Sequence, residues 1–515
     1  MTTTPSSSEF SPLHFPVVVA AMISWLVLLT PVCSMGLKPE QQSLVACIVP
    51  IVILWMTQAL PLSITSLLPL VLFPLSGVQS TKVTALSYVN SIYFLYFAGM
   101  VIAAALEQVG LHERLGGHCI RLMGTRRRQL LGGLMLATAL ISMWISNTAS
   151  VLLMLPITLS ISTTLKKAIH LPPEQQASES AGTMFLLGIA YAGSIGGIAT
   201  LVGTPTNAAY AGYIQTNYEA QVSSGQWMLA FGPCSLILLV MAWFLLSRQL
   251  KNEELPEEAK KECNRHIQQM VSRPFTMAEY LVLIVFVLVG LLWLTRRTVS
   301  LEDFTLIPGW DVPFANFMNW LLGMSSFKAT SFDDATVGLL GVFALTMIPV
   351  FNGKTRAPIL TWEQIEKKVP WGILLLFGGG FAIAGAFKST QLADVVGENI
   401  GSLTAYVPLG VIVLLDTLML NLLTEMTSNV ATVNTLLPVL DAIAVSQSIN
   451  PQLLMVPAVV AASCAFSFPI ATPPNTIVFS TGEVKVRDMI KYGMCLNLVS
   501  VFVVAFFGYV YSQLG

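Results

Sequence analysis

Ser142-Met143-Trp144-Ile145-Ser146-Asn147-Thr148 interrupts an otherwise apolar run that extends from Leu130 to Leu165. Each flank has about the length that a half-membrane helix requires. Backbone polar groups in hydrocarbon must be satisfied, so irregular chain at that depth survives only inside protein or beside a water-filled cavity. Thr427-Ser428-Asn429-Val430-Ala431-Thr432 repeats the break within a second apolar run, 407–445. The two breaks read as the two halves of one binding site.

Composition supplies the setting. Of 515 residues, 54% are hydrophobic and only 10% charged, whereas a soluble domain carries roughly a quarter charged residues. The chain reads as an all-α polytopic membrane protein. A net charge of −1 without a basic face argues against a nucleic-acid partner. The seven cysteines are scattered without a C-x-x-C pair, which argues against a disulfide framework or a zinc site. Residues 1–14 lack Lys and Arg, unlike a secretory leader, so the first apolar run is read as a retained span behind a cytoplasmic tail.

Apolar runs cover 15–34, 43–62, 66–77 (interrupted by Pro) and 92–109. The first broken run, 130–165, is followed by 184–213, broken again at Gly203–Asn207, and by 227–246. The runs 277–294, 335–351 and 371–387 lead to the second broken run. Beyond it lie 453–481, broken at Ala471–Asn475, and 490–511. Arg126–Arg128 precede the first broken run and Lys166–Lys167 follow it, so both ends lie on one face and the run is a re-entrant hairpin. Treating both broken runs this way gives about eleven transmembrane helices plus two hairpins. With a cytoplasmic N-terminus and an outside C-terminus, only Lys38, Lys82, Arg296, Arg297, Lys328 and Lys388 of the 26 Lys and Arg stay outside. A charged segment, 248–276, reads as a solvated cytoplasmic helix joining two halves, 15–247 and 277–515. The segment 297–334 reads as an ordered outer loop with interfacial Trp310 and Trp320.

The halves echo one another. Leu155-Pro156 follows the first Ser-Asn pair at the spacing by which Leu437-Pro438 follows the second. Phe97-Ala98-Gly99 is answered by Phe377-Gly378-Gly379, and Gly203-Thr204-Pro205-Thr206-Asn207 by Ala471-Thr472-Pro473-Pro474-Asn475. Two halves, each with a hairpin and a broken span and an odd number of crossings, are inverted repeats of the transporter kind.

Helix ends then suggest chemistry. Ser and Asn favour N-cap positions, and Pro205 and Pro473 break their spans. Four helix N-termini, each partly positive, would therefore converge on the middle of the protein. Their N–H groups, with Asn amides and Thr hydroxyls, suit a carboxylate or another divalent oxyanion. Carbonyls at the ends of the preceding half-helices and Ser or Thr oxygens suit sodium. Neither motif holds Lys or Arg. Bound sodium would offset the charge of a dianion held by neutral groups. Read singly, either motif could instead serve helix packing.

Glu425 sits at the second tip and is either an ion or proton site or a hydrogen-bonded brace. Asp416 and Asp441 lie nearer the hairpin's open end, where water or a neighbour reaches them, and Glu107 closes its span at the interface. His112-Glu113-Arg114-Leu115-Gly116 lacks the second His of a zinc protease helix, and Gly353-Lys354-Thr355 lacks the first Gly of a phosphate loop. No nucleophile–base pair marks an enzyme.

Together these stretches resemble the divalent anion/sodium symporter family, solute carrier family 13 type, which includes sodium-coupled dicarboxylate and citrate carriers. The resemblance rests on Ser142 through Thr148, Thr424-Glu425-Met426-Thr427-Ser428-Asn429-Val430-Ala431-Thr432, Ala471 through Asn475, and Val369-Pro370-Trp371-Gly372 through Phe381. It covers nearly the whole chain from the second span onward and departs at Pro205-Thr206, where close animal relatives have Gly-Pro.

The resemblance implies a homodimer in the plasma or bacterial inner membrane, with a scaffold domain and a transport domain that slides as an elevator. It implies one sodium site at Ser142, Ser146, Asn147 and Gly203, and another at Thr424, Thr427, Asn429 and Ala471. Substrate carboxylates would meet Ser146, Asn147, Thr148, Thr204, Ser428, Asn429, Val430, Thr472 and Pro473. The function it implies is sodium-coupled symport of C4-dicarboxylates such as succinate, malate or fumarate, with citrate as a further candidate. Sodium is then co-transported, and no organic cofactor is needed. Three alternatives stay open: a sodium-independent dicarboxylate exchanger, a sulfate carrier on the same fold, and a proton antiporter or arsenite extruder using Glu425.

Overall fold

The computed structural model describes residues 14–30, 36–168, 180–301, 304–323, 325–352, 355–404 and 407–514. Most of the expected tail, the end of the first run at 31–34, and Gly353-Lys354 lie outside them. Nine described helices are long and apolar enough to cross a membrane. Shorter apolar helices at Phe15–Leu28, Leu62–Leu75, Asp334–Met347, Leu409–Thr424 and Gln452–Ala461 accompany them. The protein is an integral membrane protein with a mostly helical fold.

The first half opens with α1 (His14–Leu28), α2 (Pro39–Thr57), α3 (Leu62–Thr65), α4 (Pro69–Leu75), α5 (Thr81–Leu86) and α6 (Ser91–Val109). The run expected at 66–77 holds one short helix, α4, which starts at Pro69, where a proline is well suited to the first helical position, and the single turn α3 precedes it. Next come α7 (Leu111–Met123), the hairpin α8 (Arg127–Ser142) and α9 (Asn147–Ala168), and the broken pair α10 (Ser180–Ile198) and α11 (Pro205–Tyr218). The half closes with α12 (Ser224–Ser247).

The segment read as a solvated linker holds α13 (Glu257–Val271). It is only half solvated. Cys263, Ile267 and Met270 are buried where α13 packs on α7 and α9, because one apolar face of an otherwise charged helix is covered.

The second half runs through α14 (Met277–Leu294), α15 (Asp311–Leu322), α16 (Asp334–Met347), α17 (Trp362–Lys368), α18 (Trp371–Ser389) and α19 (Leu392–Thr404). The second hairpin is α20 (Leu409–Thr424) and α21 (Asn429–Ser446). The second broken pair is α22 (Gln452–Ala461) and α23 (Pro473–Ser480), followed by α24 (Val486–Gln513). Two small antiparallel hairpins, β1 (Val299–Leu301) with β2 (Phe304–Ile307) and β3 (Pro349–Asn352) with β4 (Thr355–Pro358), were not expected. The first lies in the segment 297–334, and β3 takes the last residues of the run expected to reach 351, because Pro349 ends the preceding helix at Met347. Trp310 stacks on Phe332 in the segment 297–334, and Trp320 is exposed.

Helix α10 organises the first half. It is almost wholly buried and packs on both arms of the α8–α9 hairpin. Its small residues permit this. A Cβ added to Gly196 would fall 2.3 Å from the Ala139 carbonyl oxygen and 2.7 Å from the Ala139 Cα. Backbone cannot yield as a flexible side chain can. We expect Gly196→Ala to cost about 1–3 kcal/mol, read as a lowered unfolding temperature in detergent, with sodium partly restoring it. The second hairpin is backed by α22 and α24. Each broken pair then reaches across to the other half: α11 lies against α21, and α23 against α9 and α10.

Of two acids on the second hairpin, Asp416 departs from expectation, and Asp441 is reached by neighbours as expected. Asp416 is 7% exposed, and neither carboxyl oxygen has a partner among the described residues. It faces inward because Leu415 and Met419 take the exposed side of α20. Asp441 accepts hydrogen bonds from the Tyr213 hydroxyl at 2.7 Å and from the Tyr218 hydroxyl.

Candidate functional site

Both hairpins turn through four residues, 143–146 and 425–428, and both turns face one cavity of about 750 Å³. Ser146, Asn147, Thr148, Gly203, Thr204, Thr427, Ser428, Asn429, Val430, Ala471, Thr472 and Pro473 all line it. Ser142 and Thr424 do not. They are fully buried one layer behind the tips. The cavity is therefore where α9, α11, α21 and α23 begin, and the N–H groups that a helix start leaves free point toward it.

Capping differs among the four starts. Ser146 Oγ accepts from the Ala149 N–H at 3.2 Å, and Thr472 Oγ1 accepts from the Asn475 N–H at 3.3 Å. Ser428 makes no cap bond, contrary to expectation, and neither does Thr204. The Ser428 hydroxyl is left beside the cavity, and the Thr204 hydroxyl meets that of Thr206 at 3.5 Å.

Behind each tip the same oxygen arrangement recurs. The Ser142 hydroxyl oxygen lies 2.7 Å from Asn147 Oδ1 and 2.5 Å from the Gly193 carbonyl oxygen. The Thr424 hydroxyl oxygen lies 2.5 Å from Asn429 Oδ1 and 2.9 Å from the Ala462 carbonyl oxygen. One hydroxyl proton serves one acceptor at a time, so each cluster holds more oxygen than hydrogen. Glycines deepen the first. A Cβ at Gly203 would meet the Gly197 carbonyl oxygen at 2.5 Å and the Met143 carbonyl oxygen at 3.0 Å. A Cβ at Gly197 would meet Asn147 Oδ1 at 2.5 Å. In the second half Ala471 stands in the place of Gly203. The Thr427 hydroxyl turns away to the Leu423 carbonyl at 2.8 Å and the Thr432 hydroxyl at 2.6 Å.

The breaks are held by residues whose roles the sequence did not reveal. Asn207 Nδ2 donates to the Thr200 carbonyl at 2.8 Å and lies 3.3 Å from that of Ile198. Asn475 Nδ2 donates to the Phe468 and Ala465 carbonyls at 3.0 and 3.1 Å. Both asparagines stand within the echoed stretches, and that was the available signal. The hairpin-to-break ties differ between halves. Thr200 Oγ1 donates to the Met143 carbonyl at 2.6 Å. Glu425 instead accepts from the Phe466, Ser467 and Phe468 N–H groups at 2.8, 2.8 and 2.9 Å. Asn497 Nδ2 adds a fourth donor at 2.5 Å. Glu425 is thus a brace for the second break, fully buried and away from the cavity lining.

A family described as "Sodium:sulfate symporter transmembrane region" matches residues 11–514. The sodium-dependent dicarboxylate transporter SdcS of Staphylococcus saprophyticus subsp. saprophyticus is 34% identical over 451 residues, covering 87% of this chain and 82% of the relative. SdcS of Staphylococcus aureus is 32% identical over 464 residues, with the same 87% and 82% coverage. Among solved structures, the Alcanivorax borkumensis YdaH transporter superposes with a TM-score of 0.51 at 14% identity, covering 83% of this chain and 85% of that one. Neisseria gonorrhoeae MtrF gives 0.51 at 11% identity, covering 83% and 82%. At such identity these two speak for the fold alone. With duplicated Ser-Asn tips around one cavity and a match along nearly its whole length, the chain belongs to the sodium:sulfate symporter family, the divalent anion/sodium symporters.

Proposed function

We propose that this chain is a secondary active transporter that carries a C4-dicarboxylate together with sodium. The observation that carries the reading is the convergence of four helix starts and two Ser-Asn tips on one cavity, with an oxygen cluster behind each tip. Helix N-termini attract carboxylates, and hard oxygen clusters attract sodium. Ser146, Asn147, Thr148, Thr204, Ser428, Asn429, Val430, Thr472 and Pro473 hold the dianion. Ser142, Ser146, Asn147 and Gly203 serve one sodium ion, and Thr424, Thr427, Asn429 and Ala471 serve the other. Since the tips carry no cation, the sodium ions supply the compensating charge, and affinity for the anion rises with sodium.

The two SdcS relatives bear the name of sodium-dependent dicarboxylate transporters, which supports the same substrate class here. In this reading the hairpins and broken pairs slide as one body against a scaffold that includes α6, α14 and α16, which pack on one another. The protein works as a homodimer, with its N-terminus in the cytoplasm and its C-terminus outside, and performs no covalent chemistry.

Purified protein in liposomes tests this. Labelled succinate uptake under an inward sodium gradient is expected to exceed uptake under potassium or choline and to rise sigmoidally with sodium. Equal uptake in all three, stimulated by internal dicarboxylate, would make the protein an exchanger and remove both sodium assignments.

A further inference from the structure

Two charged side chains, Lys368 and Glu107, stand among the described residues that line the cavity. Neither belongs to a hairpin or a broken pair. Lys368 ends α17, Glu107 is near the end of α6, and those two helices pack together. Lys368 Nζ lies 3.5 Å from Glu107 Oε2 and 3.4 Å from the Ala104 carbonyl oxygen. Both side chains are 31% exposed, so the pair is wet and open to the cavity. His112 also lies near. Burial pulls its imidazole below the ordinary value, so it is neutral at pH 7 and leaves Lys368 as the cation there.

Resting on the dicarboxylate reading, we propose that Lys368 is a specificity-determining residue that favours dianions over monoanions while the cavity is open, with Glu107 moderating its charge. The physical ground is simple. The tips offer only neutral donors, which treat the first and second carboxylate alike. A fixed cation in the same cavity acts on total charge, and its field is weakly screened between low-dielectric walls. Paired with Glu107 the ammonium acts as one end of a dipole rather than as a free charge, so removing either partner unmasks the other and the two substitutions act on a dianion with opposite signs.

Opposite signs test the idea. Succinate and its monoamide, succinamate, are titrated against purified protein in saturating sodium at low ionic strength. Lys368→Gln is expected to weaken succinate about fivefold and succinamate about twofold. Lys368→Arg should bind as the wild type does. Glu107→Gln, which frees the ammonium, should tighten succinate about threefold. A merely structural pair would make Lys368→Gln and Glu107→Gln weaken binding together, and that result overturns the proposal. Equal shifts for succinate and succinamate, or no shift in either variant, also overturn it while leaving the dicarboxylate reading intact. Wild-type protein that binds no succinate overturns both.

Discussion

Asn147→Ala and Asn429→Ala should each reduce sodium-driven succinate uptake by at least about 100-fold while the protein still folds, since outer partners of metal sites alone carry effects of about 10–100-fold. Each amide stands where two demands meet. Its residue lines the cavity, and its Oδ1 faces the buried hydroxyl behind the tip, Ser142 in one half and Thr424 in the other. Alanine removes a substrate donor and a cluster oxygen at once. It leaves the helix start itself in place, because residue 147 or 429 is already helical and alanine is a good helix former. Uptake and unfolding temperature in detergent separate the two effects. The wild-type protein should gain stability from sodium, and each variant should lose part of that gain. Full uptake by either variant would remove its tip from the site.

Much of this was legible because the chain says it twice. One Ser-Asn pair in an apolar run is ambiguous, but two with matching Pro and Gly-Thr-Pro echoes place both hairpins and both breaks. What stayed hidden was whatever depends on partners far apart in sequence. Ser142 and Thr424 stand five residues before their tip asparagines, but the carbonyls that their hydroxyls meet, at Gly193 and Ala462, lie far on in sequence. Glu425 has Met143 as its counterpart, so the repeat gave no hint of its role. Its donors lie about forty residues on, in the second break. Asp416 was misjudged by position along the hairpin, since depth in sequence does not say which face of a helix is covered. In the sequence Lys368 is one of the twenty Lys and Arg counted on the cytoplasmic side, and nothing local shows that α17 ends at the cavity.

Glu425→Ala should destabilise the protein by about 3–5 kcal/mol, and Glu425→Gln by about 2–4 kcal/mol. Alanine leaves the N–H groups of Phe466, Ser467 and Phe468 and the amide of Asn497 facing a void inside the protein. Glutamine keeps one acceptor but turns the other oxygen into a donor. If its oxygen stays with Phe466, Ser467 and Asn497, its amino group confronts the Phe468 N–H. The flipped amide is worse, because three donors then meet a fourth. Transport should fall with stability, since residues 466–468 lead directly into Ala471 and Thr472 at the cavity. This outcome separates the brace from a proton carrier. A carrier converted to Gln would keep its fold and its anion binding and lose only coupling to a proton gradient. A brace converted to Gln should lose unfolding temperature and succinate affinity together, with high sodium recovering part of both by mass action. Thr200→Val, which cuts the corresponding tie to Met143 in the other half, should show the same coupled loss in milder form, because two neutral hydrogen bonds, to the Met143 carbonyl and from the Gly203 N–H, rather than four charge-assisted ones are removed.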